Sequence, residues 1–287
     1  MDAPQLELHE SAPGVTVRSS LSPSRAGDFQ SCPLRYRLRV IDRIPEPADP
    51  VMVRGTLVHA VLEDLLAEPA ESRTLDEAVK LLPSEWGKLR AEEPRLAELF
   101  TAEQAAEETD WLASAVSLLE TYFRMEDPRY LGEHTREEKI SFEHESGLTF
   151  AGIVDRIDIA PDGRIRVVDY KSGKSPSPLY EDKALFQMKF YALVIWRTRG
   201  ILPTLLQLMY IGDESFLTYE PQEQDLIATE RKVLALWDAI ASAVERRDFP
   251  AKKSGLCTFC SHQAICPEWG GTPPPFPEIV PEVPLVP

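Results

Sequence analysis

The sequence predicts a mixed α/β fold of the α+β kind, in which a small mixed sheet is flanked by helices. Helical periodicity of apolar residues dominates up to about residue 135, and short segments that alternate apolar and polar residues follow from residue 140. Helices and one short strand then return without regular alternation, which argues against a doubly wound parallel sheet. The chain has 287 residues, 43% of them hydrophobic, which is enough for a sizeable buried core.

The N-terminal region is predicted to contain a broken helix. Residues 1–20 show no sustained period and are expected to be a loose lead-in. Ser22 before Pro23 is typical of an N-cap followed by a first helical turn, and the helix should run to about Arg39. Cys32-Pro33 lies inside this segment, so the helix should kink or restart there.

A second helix is predicted over residues 55–66, and its polar face carries His59 and Glu63, four residues apart and therefore adjacent. Residues 74–127 are then expected to form two or three acidic helices. These helices should be interrupted near the prolines at positions 83 and 94.

The second half of the chain is predicted to form the sheet. Strands are expected at Ile140 and Phe142, over 149–159 and over 164–172, with Asp162-Gly163 as the turn between the last two. The remaining predicted elements are a helix over 179–199, a strand over 205–211 and a long amphipathic helix over 222–246.

Charge and composition limit the classes of function. The chain carries 31 Lys and Arg against 47 Asp and Glu, a formal net charge of −16, which argues against a uniformly basic coat for nucleic acid or anionic membrane. Basic clusters over 25–43 and 164–199 still allow a local positive groove. No stretch reaches the roughly 18 to 20 apolar residues of a membrane span, and no secretory signal is evident, so we expect a cytoplasmic protein without membrane contact.

The predicted hairpin brings two carboxylates together. If its turn holds residues 161–163, paired residue numbers sum to 324, and Asp155 lies directly opposite Asp169. Like charges so placed destabilise a sheet, and a cation between them reverses that penalty. Two carboxylates with water suit Mg²⁺ or Mn²⁺, and Lys171, two positions beyond Asp169, points to the same face. Its ammonium could orient an attacking water and offset charge that develops on a phosphate.

Two further motifs have ordinary structural explanations. Gly173-Lys174-Ser175 resembles the end of a phosphate-binding P-loop, but the first glycine that this loop requires would stand at residue 168, which is Val168. An ATPase motor is therefore unsupported. Gln187 and Tyr191 share one helix face, as many boundary residues do.

The cysteines indicate a metal or cluster site. Cys257, Cys260 and Cys266 form C-x2-C-x5-C, and Cys32 is the other cysteine of the chain. Three clustered thiols need a fourth ligand, which either Cys32 or the neighbouring His262 can supply. Spacing leaves open an iron–sulfur cluster with Cys32 or a Zn²⁺ site with His262.

Taken together, these segments resemble the RecB-type exonucleases of the PD-(D/E)XK nuclease superfamily, in particular the iron–sulfur branch with the CRISPR-associated RecB-like exonucleases and the AddB nuclease domain. The resemblance spans about Leu21 to Cys266. Its motifs, in chain order, are Leu21-Ser-Pro-Ser-Arg25 with Cys32-Pro33, Gly55-Thr-Leu-Val-His59, Gly152-Ile-Val-Asp155-Arg-Ile-Asp158, Val168-Asp169-Tyr-Lys171-Ser-Gly173, Gln187-x3-Tyr191 and the C-x2-C-x5-C run.

The resemblance implies roles for individual residues. The implied metal ligands are His59, Asp155, Asp169 and the carbonyl of Tyr170, and Lys171 is the implied catalytic lysine. Gln187 and Tyr191 match the accessory motif that supports the site and contacts DNA. Cys32, Cys257, Cys260 and Cys266 match the ligands of a structural [4Fe–4S] cluster. Asp169 stands where the superfamily name has Glu, a substitution that this branch commonly shows.

The resemblance also implies a domain organisation. We expect a loose lead over 1–20, an N-terminal helix with the first cluster cysteine over 21–54, and a nuclease core over 55–250 that contains a helical insertion at about 70–135. The cysteine cluster should occupy 251–270, and a Pro-rich disordered tail should follow over 271–287.

The expected function is a Mg²⁺- or Mn²⁺-dependent DNA exonuclease that hydrolyses phosphodiester bonds, most readily of single-stranded DNA, in DNA repair or recombination. No helicase motor is present in the sequence, so a helicase or repair partner would be a separate chain. The alternative is a non-catalytic iron–sulfur or zinc module that binds DNA or assembles a complex.

Overall fold

A six-stranded mixed sheet forms the centre of the protein in a computed structural model that describes residues 20–278. The strands are β1 (Ser20–Leu21), β2 (Glu133–Glu143), β3 (Thr149–Ile159), β4 (Ile165–Lys171), β5 (Leu205–Tyr210) and β6 (Ser215–Tyr219). The helices are α1 (Pro23–Ser31), α2 (Pro33–Tyr36), α3 (Pro50–Ala67), α4 (Leu75–Glu92), α5 (Ala105–Met125), α6 (Glu181–Arg199) and α7 (Glu223–Arg246). The predicted mixed α/β class is confirmed.

The strand order is β1-β3-β4-β5-β6, and β2 pairs with β3 outside this path. Strand β3 pairs with β2 from Thr149 to Ile159 except at Asp155, so β1 and β4 share its other edge, at opposite ends. Strands β4 and β5 are parallel, and α6 is the crossover between them. This arrangement leaves the middle of β3 unpaired on the edge that β4 occupies farther along.

Two hydrophobic cores cover the two faces of the sheet. Phe150 and Ile157 of β3 pack in the first core with residues of α6 and α7, such as Phe190. The second core joins α3, α4 and α5 to the opposite face, where Val168 of β4 and Leu62 are fully buried. The helices that carry the predicted site residues are therefore anchored on both sides of β3 and β4.

Helix capping explains most of the helix boundaries. The Ser22 side chain caps α1 by accepting a hydrogen bond from the backbone of Arg25, and Pro33 starts α2 after the break at Cys32. Asp49 caps α3, since its Oδ1 accepts from Val51 N at 2.7 Å. Helix α3 therefore begins at Pro50, earlier than the apolar periodicity indicated.

The predicted interruption at Pro83 is wrong, because α4 continues through this residue. A proline inside a helix removes one backbone hydrogen bond. Leu82 and Trp86, on either side of the proline, are buried in the second core, and this packing holds the helix through it. The interruption near Pro94 is confirmed, since α4 ends at Glu92.

The chain ends are only partly described. The predicted lead before residue 20 and the end of the predicted tail, 279–287, lie outside the described residues. Up to Glu278 the tail packs on the protein: Phe276 stacks on Phe249 with ring centroids 5.9 Å apart, and the carbonyl of Pro274 accepts a hydrogen bond from Arg37. Between residues 20 and 278, no helix has both the length and the apolar character needed to cross a membrane.

Candidate active site

The β3–β4 hairpin has the register that the sequence predicts. Arg156 pairs with Val168 and Ile159 with Ile165, so paired numbers sum to 324, and Ala160 N donates to Arg164 O at 2.9 Å across the turn. The ladder ends at Arg156, one residue short of Asp155. Beyond that point the strands separate, and Asp155 and Asp169 face each other across the opening.

The Asp155 carboxylate takes the place of a ladder hydrogen bond at this opening. Its Oδ2 accepts from the backbone N–H of Tyr170 at 2.7 Å, and 11% of its side chain is exposed. Burial disfavours the charged form, and the neighbouring Asp169 adds like-charge repulsion, so the pKa of Asp155 is raised to about 7. A carboxylate in this state gains from any cation that reaches it.

Asp169 is almost fully buried, with 1% of the residue exposed. Its Oδ1 accepts from Gln187 Nε2 at 2.8 Å, and its Oδ2 lies 2.6 Å from Lys171 Nζ. Lys171 Nζ also donates to Gln187 Oε1 at 3.1 Å. Burial opposes the charge on Lys171, but attraction to Asp169 outweighs it and raises the pKa of Lys171, which keeps this ammonium charged.

Gln187 and Tyr191 lie on α6, one turn apart, beside these strands. Gln187 Nε2 approaches the Tyr191 hydroxyl at 3.0 Å. The Tyr191 ring fits against β3 because residue 152 is glycine, where a Cβ would lie 2.6 Å from Tyr191 Cε1. The glycine of the Gly152-to-Asp158 motif is therefore explained by the packing of α6.

His59 comes from α3, on the other side of the sheet. Its Nε2 lies 2.9 Å from the carbonyl oxygen of Tyr170, and its Nδ1 lies 3.5 Å from Asp155 Oδ2. The approach depends on Gly55, one turn earlier in α3, where a Cβ would meet Ser172 Oγ at 2.7 Å. The six residues predicted for catalysis and the Tyr170 carbonyl thus form one connected set of contacts. Among the described residues, however, His59, Asp155 and Asp169 do not have ligand atoms that all lie within 4.8 Å of one another.

Glu137 of β2 also lies at this site, and the sequence analysis missed it. One ligand atom each from His59, Glu137 and Asp155 lie within 4.8 Å of one another. The register of β2 on β3 places Glu137 opposite Asp155, since Arg136 pairs with Arg156 and Glu138 with Val154. The sequence predicts a strand only at Ile140 and Phe142, whereas β2 begins at Glu133, and a strand extended back that far would have included Glu137.

A cleft with a volume of about 830 Å³ runs along α3 and α4 and reaches the site. Lys171 and Lys174 lie on its sheet side, and acidic residues of the two helices, including Glu63, lie on the other. A second cavity of about 280 Å³ opens on the far side of Gln187 and is lined by Lys183. His59, Glu137 and Lys171 therefore face the cleft, and Gln187 and Tyr191 face the second cavity.

The donor set fits a divalent cation. Adjacent ligands of an octahedral Mg²⁺ lie about 3 Å apart, given bond lengths of about 2.1 Å. His59 Nε2 lies 2.9 Å from the Tyr170 carbonyl and its Nδ1 lies 3.5 Å from Asp155 Oδ2, so each ring nitrogen has an oxygen donor near this spacing. Carboxylate and carbonyl oxygens with one imidazole suit Mg²⁺ or Mn²⁺.

The four cysteines line a separate cavity. Cys32, Cys257, Cys260 and Cys266 surround a space of about 40 Å³, and none of them forms a disulfide. Backbone N–H groups of Lys252 and Ser254 donate to the sulfurs of Cys32 and Cys257 at 3.4 and 3.3 Å. No three of these sulfurs lie within 4.8 Å of one another in the part of the chain that is described.

His262 does not line this cavity. Its Nε2 lies 3.1 Å from Glu46 Oε1, and the residue is 4% exposed. Tetrahedral Zn²⁺ with bonds of about 2.3 Å needs ligand atoms about 3.8 Å apart. Cys32 is thus the residue that shares the cavity with the C-terminal cysteines, while the imidazole is directed at a carboxylate.

A mixed sheet whose central strands separate at two carboxylates and a lysine, with a histidine from a flanking helix, defines a nuclease of the restriction-endonuclease-like type. Comparison with known families agrees. The sequence profile of the PD-(D/E)XK nuclease superfamily matches residues 20–267 of the chain. The chain belongs to this superfamily.

Individual relatives are distant. The Gene 69 protein of Mycobacterium phage D29 is 23% identical over 266 residues, which cover 86% of this chain and 96% of that protein. Among solved structures, a candidate exonuclease from Eubacterium rectale aligns over 85% of this chain and 88% of its own, with a TM-score of 0.53 and 13% identity. At that identity the likeness shows the fold.

Proposed function

We propose that this chain is a Mg²⁺- or Mn²⁺-dependent DNA exonuclease of the RecB-type iron–sulfur branch of its superfamily. One observation carries the proposal: His59 and Lys171 line the cleft, and each contacts a buried carboxylate behind it, His59 that of Asp155 and Lys171 that of Asp169. A buried pair of like charges is costly unless it serves a ligand.

His59, Asp155, Asp169 and the Tyr170 carbonyl are proposed to hold the divalent ion. Such an ion would bind the scissile phosphate, lower the pKa of a water and stabilise the leaving oxygen. Lys171 stays protonated beside Asp169 and can hold the attacking water by a hydrogen bond. Gln187 fixes both Asp169 and Lys171, and Tyr191 limits the movement of Gln187.

Single-stranded DNA is the proposed substrate. The cleft presents lysines near the carboxylates and acidic side chains on the walls from α3 and α4. A single phosphate backbone can follow the lysines, whereas the second backbone of a duplex would meet the acidic wall. Backbone contacts of this kind imply activity that falls as salt rises.

The cysteine cavity is the proposed site of a structural [4Fe–4S] cluster. Each cysteine of such a cluster binds a different iron, so the sulfurs lie farther apart than around one Zn²⁺. The spread of the sulfurs and the direction of His262 favour the cluster over a zinc site. The cluster would join the N-terminal helix segment over 21–54 to the cysteine segment over 251–270, on either side of a nuclease core over 55–250.

In the cell, we propose a cytoplasmic role in DNA repair or recombination, with any helicase supplied by a separate chain. A non-catalytic module that binds DNA is the second candidate. The charged and hydrogen-bonded Lys171 favours catalysis, because a binding module has no need of an ammonium fixed beside two carboxylates.

The test is digestion of 5′- and 3′-labelled single strands by anaerobically purified protein with Mn²⁺, against Asp169→Asn and Lys171→Met. We expect cleavage by the wild type and a loss of at least about a hundredfold in each variant. A matched control, Lys80→Met, removes an exposed lysine of α4 that pairs with Glu77 and does not line the cleft, and it should cleave normally. Equal cleavage by wild type and Asp169→Asn would refute the assignment.

The absorption spectrum of the same preparation tests the cluster. We expect a brown protein with a visible band that is lost in Cys32→Ser. A colourless wild-type protein with bound Zn²⁺ would contradict the proposal, as would a Cys32→Ser variant that keeps the band.

A further inference from the structure

We propose that Glu137 is a direct ligand of the divalent cation and supplies a third carboxylate to the site. The inference rests on the proposed function only in that the site takes a divalent ion. It adds a residue from β2, a strand that none of the predicted site residues belongs to. The contacts of Glu137, the local charge and the conformation of β2 support it in turn.

The side chain of Glu137 lies close enough to His59 and Asp155 to share one ion with them. Ligand atoms of His59, Glu137 and Asp155 lie within 4.8 Å of one another. Opposite ligands of one octahedral Mg²⁺ lie about 4 Å apart, so a shift of about one ångström brings all three within bonding reach. Within residues 20–278 this is the one group of three potential ligands that satisfies that distance.

The site also has an excess of negative charge. Asp155, Asp169 and Glu137 bring three carboxylates to the site, and Lys171 is the ammonium that pairs with them, at 2.6 Å from Asp169. When all three are ionised, two negative charges remain uncompensated, which matches one divalent cation. No Lys or Arg of the described chain forms an ion pair with Glu137 itself.

The next residue, Glu138, provides an internal comparison. It points to the opposite face of β2, where it pairs with Arg199 of α6 and accepts a hydrogen bond from Thr135 at 2.6 Å. The two adjacent glutamates thus differ in kind. Glu138 has its cation within the protein, whereas Glu137 is half-buried beside His59 and Asp155 without one.

The backbone of β2 is consistent with a fixed position for this side chain. Glu137 has a φ of 40°, in the left-handed region that non-glycine residues rarely adopt. Its neighbours are held in place: Arg136 Nη1 donates to the carbonyl of Glu63 on α3 at 2.9 Å, and Glu138 is tied to α6. The backbone at residue 137 is therefore held between α3 and α6 by its two neighbours.

The experiment measures Mn²⁺ binding to the full chain without DNA, by calorimetry or by the electron paramagnetic resonance of free Mn²⁺. Glu137→Gln keeps the shape of the side chain and removes its charge. We expect it to weaken Mn²⁺ binding at least about tenfold. Glu63→Gln is the matched control, because Glu63 lines the same cleft outside the group of three, and its affinity should stay within about twofold.

Thermal unfolding in EDTA separates ligation from a structural role. A ligand removed from a like-charged site should leave the metal-free protein at least as stable, so Glu137→Gln should melt no lower than wild type while its Mn²⁺-induced shift shrinks. Should Glu137→Gln fail to fold, Glu137→Asp keeps the charge and should bind Mn²⁺ with intermediate affinity. Wild-type affinity in the folded variant, or an equal loss in Glu63→Gln, would overturn the inference.

The outcome is independent of cleavage. A chain that binds Mn²⁺ through Glu137 but cuts no DNA would contradict the proposed nuclease and keep this inference. If the chain cuts DNA and its Glu137→Gln variant binds Mn²⁺ like the wild type, the proposed nuclease stands and this inference is contradicted.

Discussion

At the scale of the residue, the site owes its properties to burial of like charges. Asp155 and Asp169 repel each other where water is largely excluded, and the structure compensates with Lys171 and with a backbone N–H from Tyr170. Such an arrangement is costly for folding and useful for binding a cation.

The metal-free protein is expected to become less stable as pH rises, because of Asp155. The pKa of Asp155 is raised to about 7, whereas an unfolded Asp titrates near about 4. Between these values the folded protein binds more protons than the unfolded chain, so its free energy of unfolding falls as pH rises. In EDTA, the free energy of unfolding of the wild type should fall between about pH 5 and about pH 8 by about 2 to 3 kcal/mol more than that of Asp155→Asn.

Urea denaturation across that range measures this difference, because the other titrating groups are common to both proteins. Parallel pH profiles for the two proteins would show that Asp155 titrates at its ordinary pKa.

Arg156 is a second buried charge next to the site. Arg156 is fully buried, and its guanidinium donates to Glu126 Oε1 at 2.6 Å and to the Tyr170 hydroxyl at 2.7 Å, while its Nε lies 2.9 Å from Asp158 Oδ1. The same Tyr170 offers its carbonyl to His59. Arg156 therefore holds the side chain of the residue whose carbonyl faces His59.

Arg156→Met should destabilise the protein by about 3 to 5 kcal/mol, because it leaves the carboxylates of Glu126 and Asp158 without their buried partner. Chemical denaturation measures this loss. Arg164→Met is the control, since Arg164 is largely exposed and pairs with Asp162 at the turn, and it should change little. A small effect of Arg156→Met would mean that Arg166, which also contacts Asp158, compensates.

At the scale of the element, glycines set how closely the helices approach the sheet. Gly152 admits the Tyr191 ring of α6, and Gly55 admits Ser172 to α3. Both occur in the sequence motifs, and the reason is steric, since an added Cβ would overlap a side chain of the neighbouring element.

Gly152→Ala should cost about 1 to 3 kcal/mol by overpacking and should displace Tyr191 from Gln187. Denaturation measures the first effect, and the turnover number on single-stranded DNA, which should fall while the Michaelis constant changes less, measures the second. Gly87→Ala in α4, where nothing lies within 4 Å, should instead stabilise the protein by up to about 1 kcal/mol. Unchanged stability in Gly152→Ala would show that the ring moves freely.

Elements with strong local signals were predictable, and elements that depend on pairing were not. The β3 strand matches its predicted bounds, and the hairpin register follows from its turn. Strand β2 begins at Glu133, inside a segment whose acidic composition resembles the preceding helices, because its partner β3 determines its conformation. The convergence of His59 on Asp155 depends on the packing of α3, which local sequence does not specify.

At the scale of the whole molecule, the two ends of the described chain meet. Cys32 and the C-terminal cysteines share a cavity, and Phe276 contacts the ring of Phe249 and lies under the guanidinium of Arg37 at 5.3 Å. These contacts make the C-terminal segment part of the structure that supports α1 and α2.

Phe276→Ala should therefore lower the free energy of unfolding by about 0.5 to 1.5 kcal/mol through the ring contact alone, plus the loss of its buried area. The measurement is denaturation of the full chain. Phe216→Ala serves as the comparison, because Phe216 is 47% exposed and forms no ring contact with the described residues. Equal small losses in both variants would mean that the C-terminal segment does not support the fold.

The separation of β3 and β4 beyond Arg156 has a consequence for laboratory evolution. A β-branched residue in place of Asp155 would remove the charge and allow the pairing of the two strands to extend by one residue pair. Such a variant should be more stable to heat and inactive as a nuclease. A selection for thermal stability alone, without a screen for DNA cleavage, is therefore expected to replace Asp155 early.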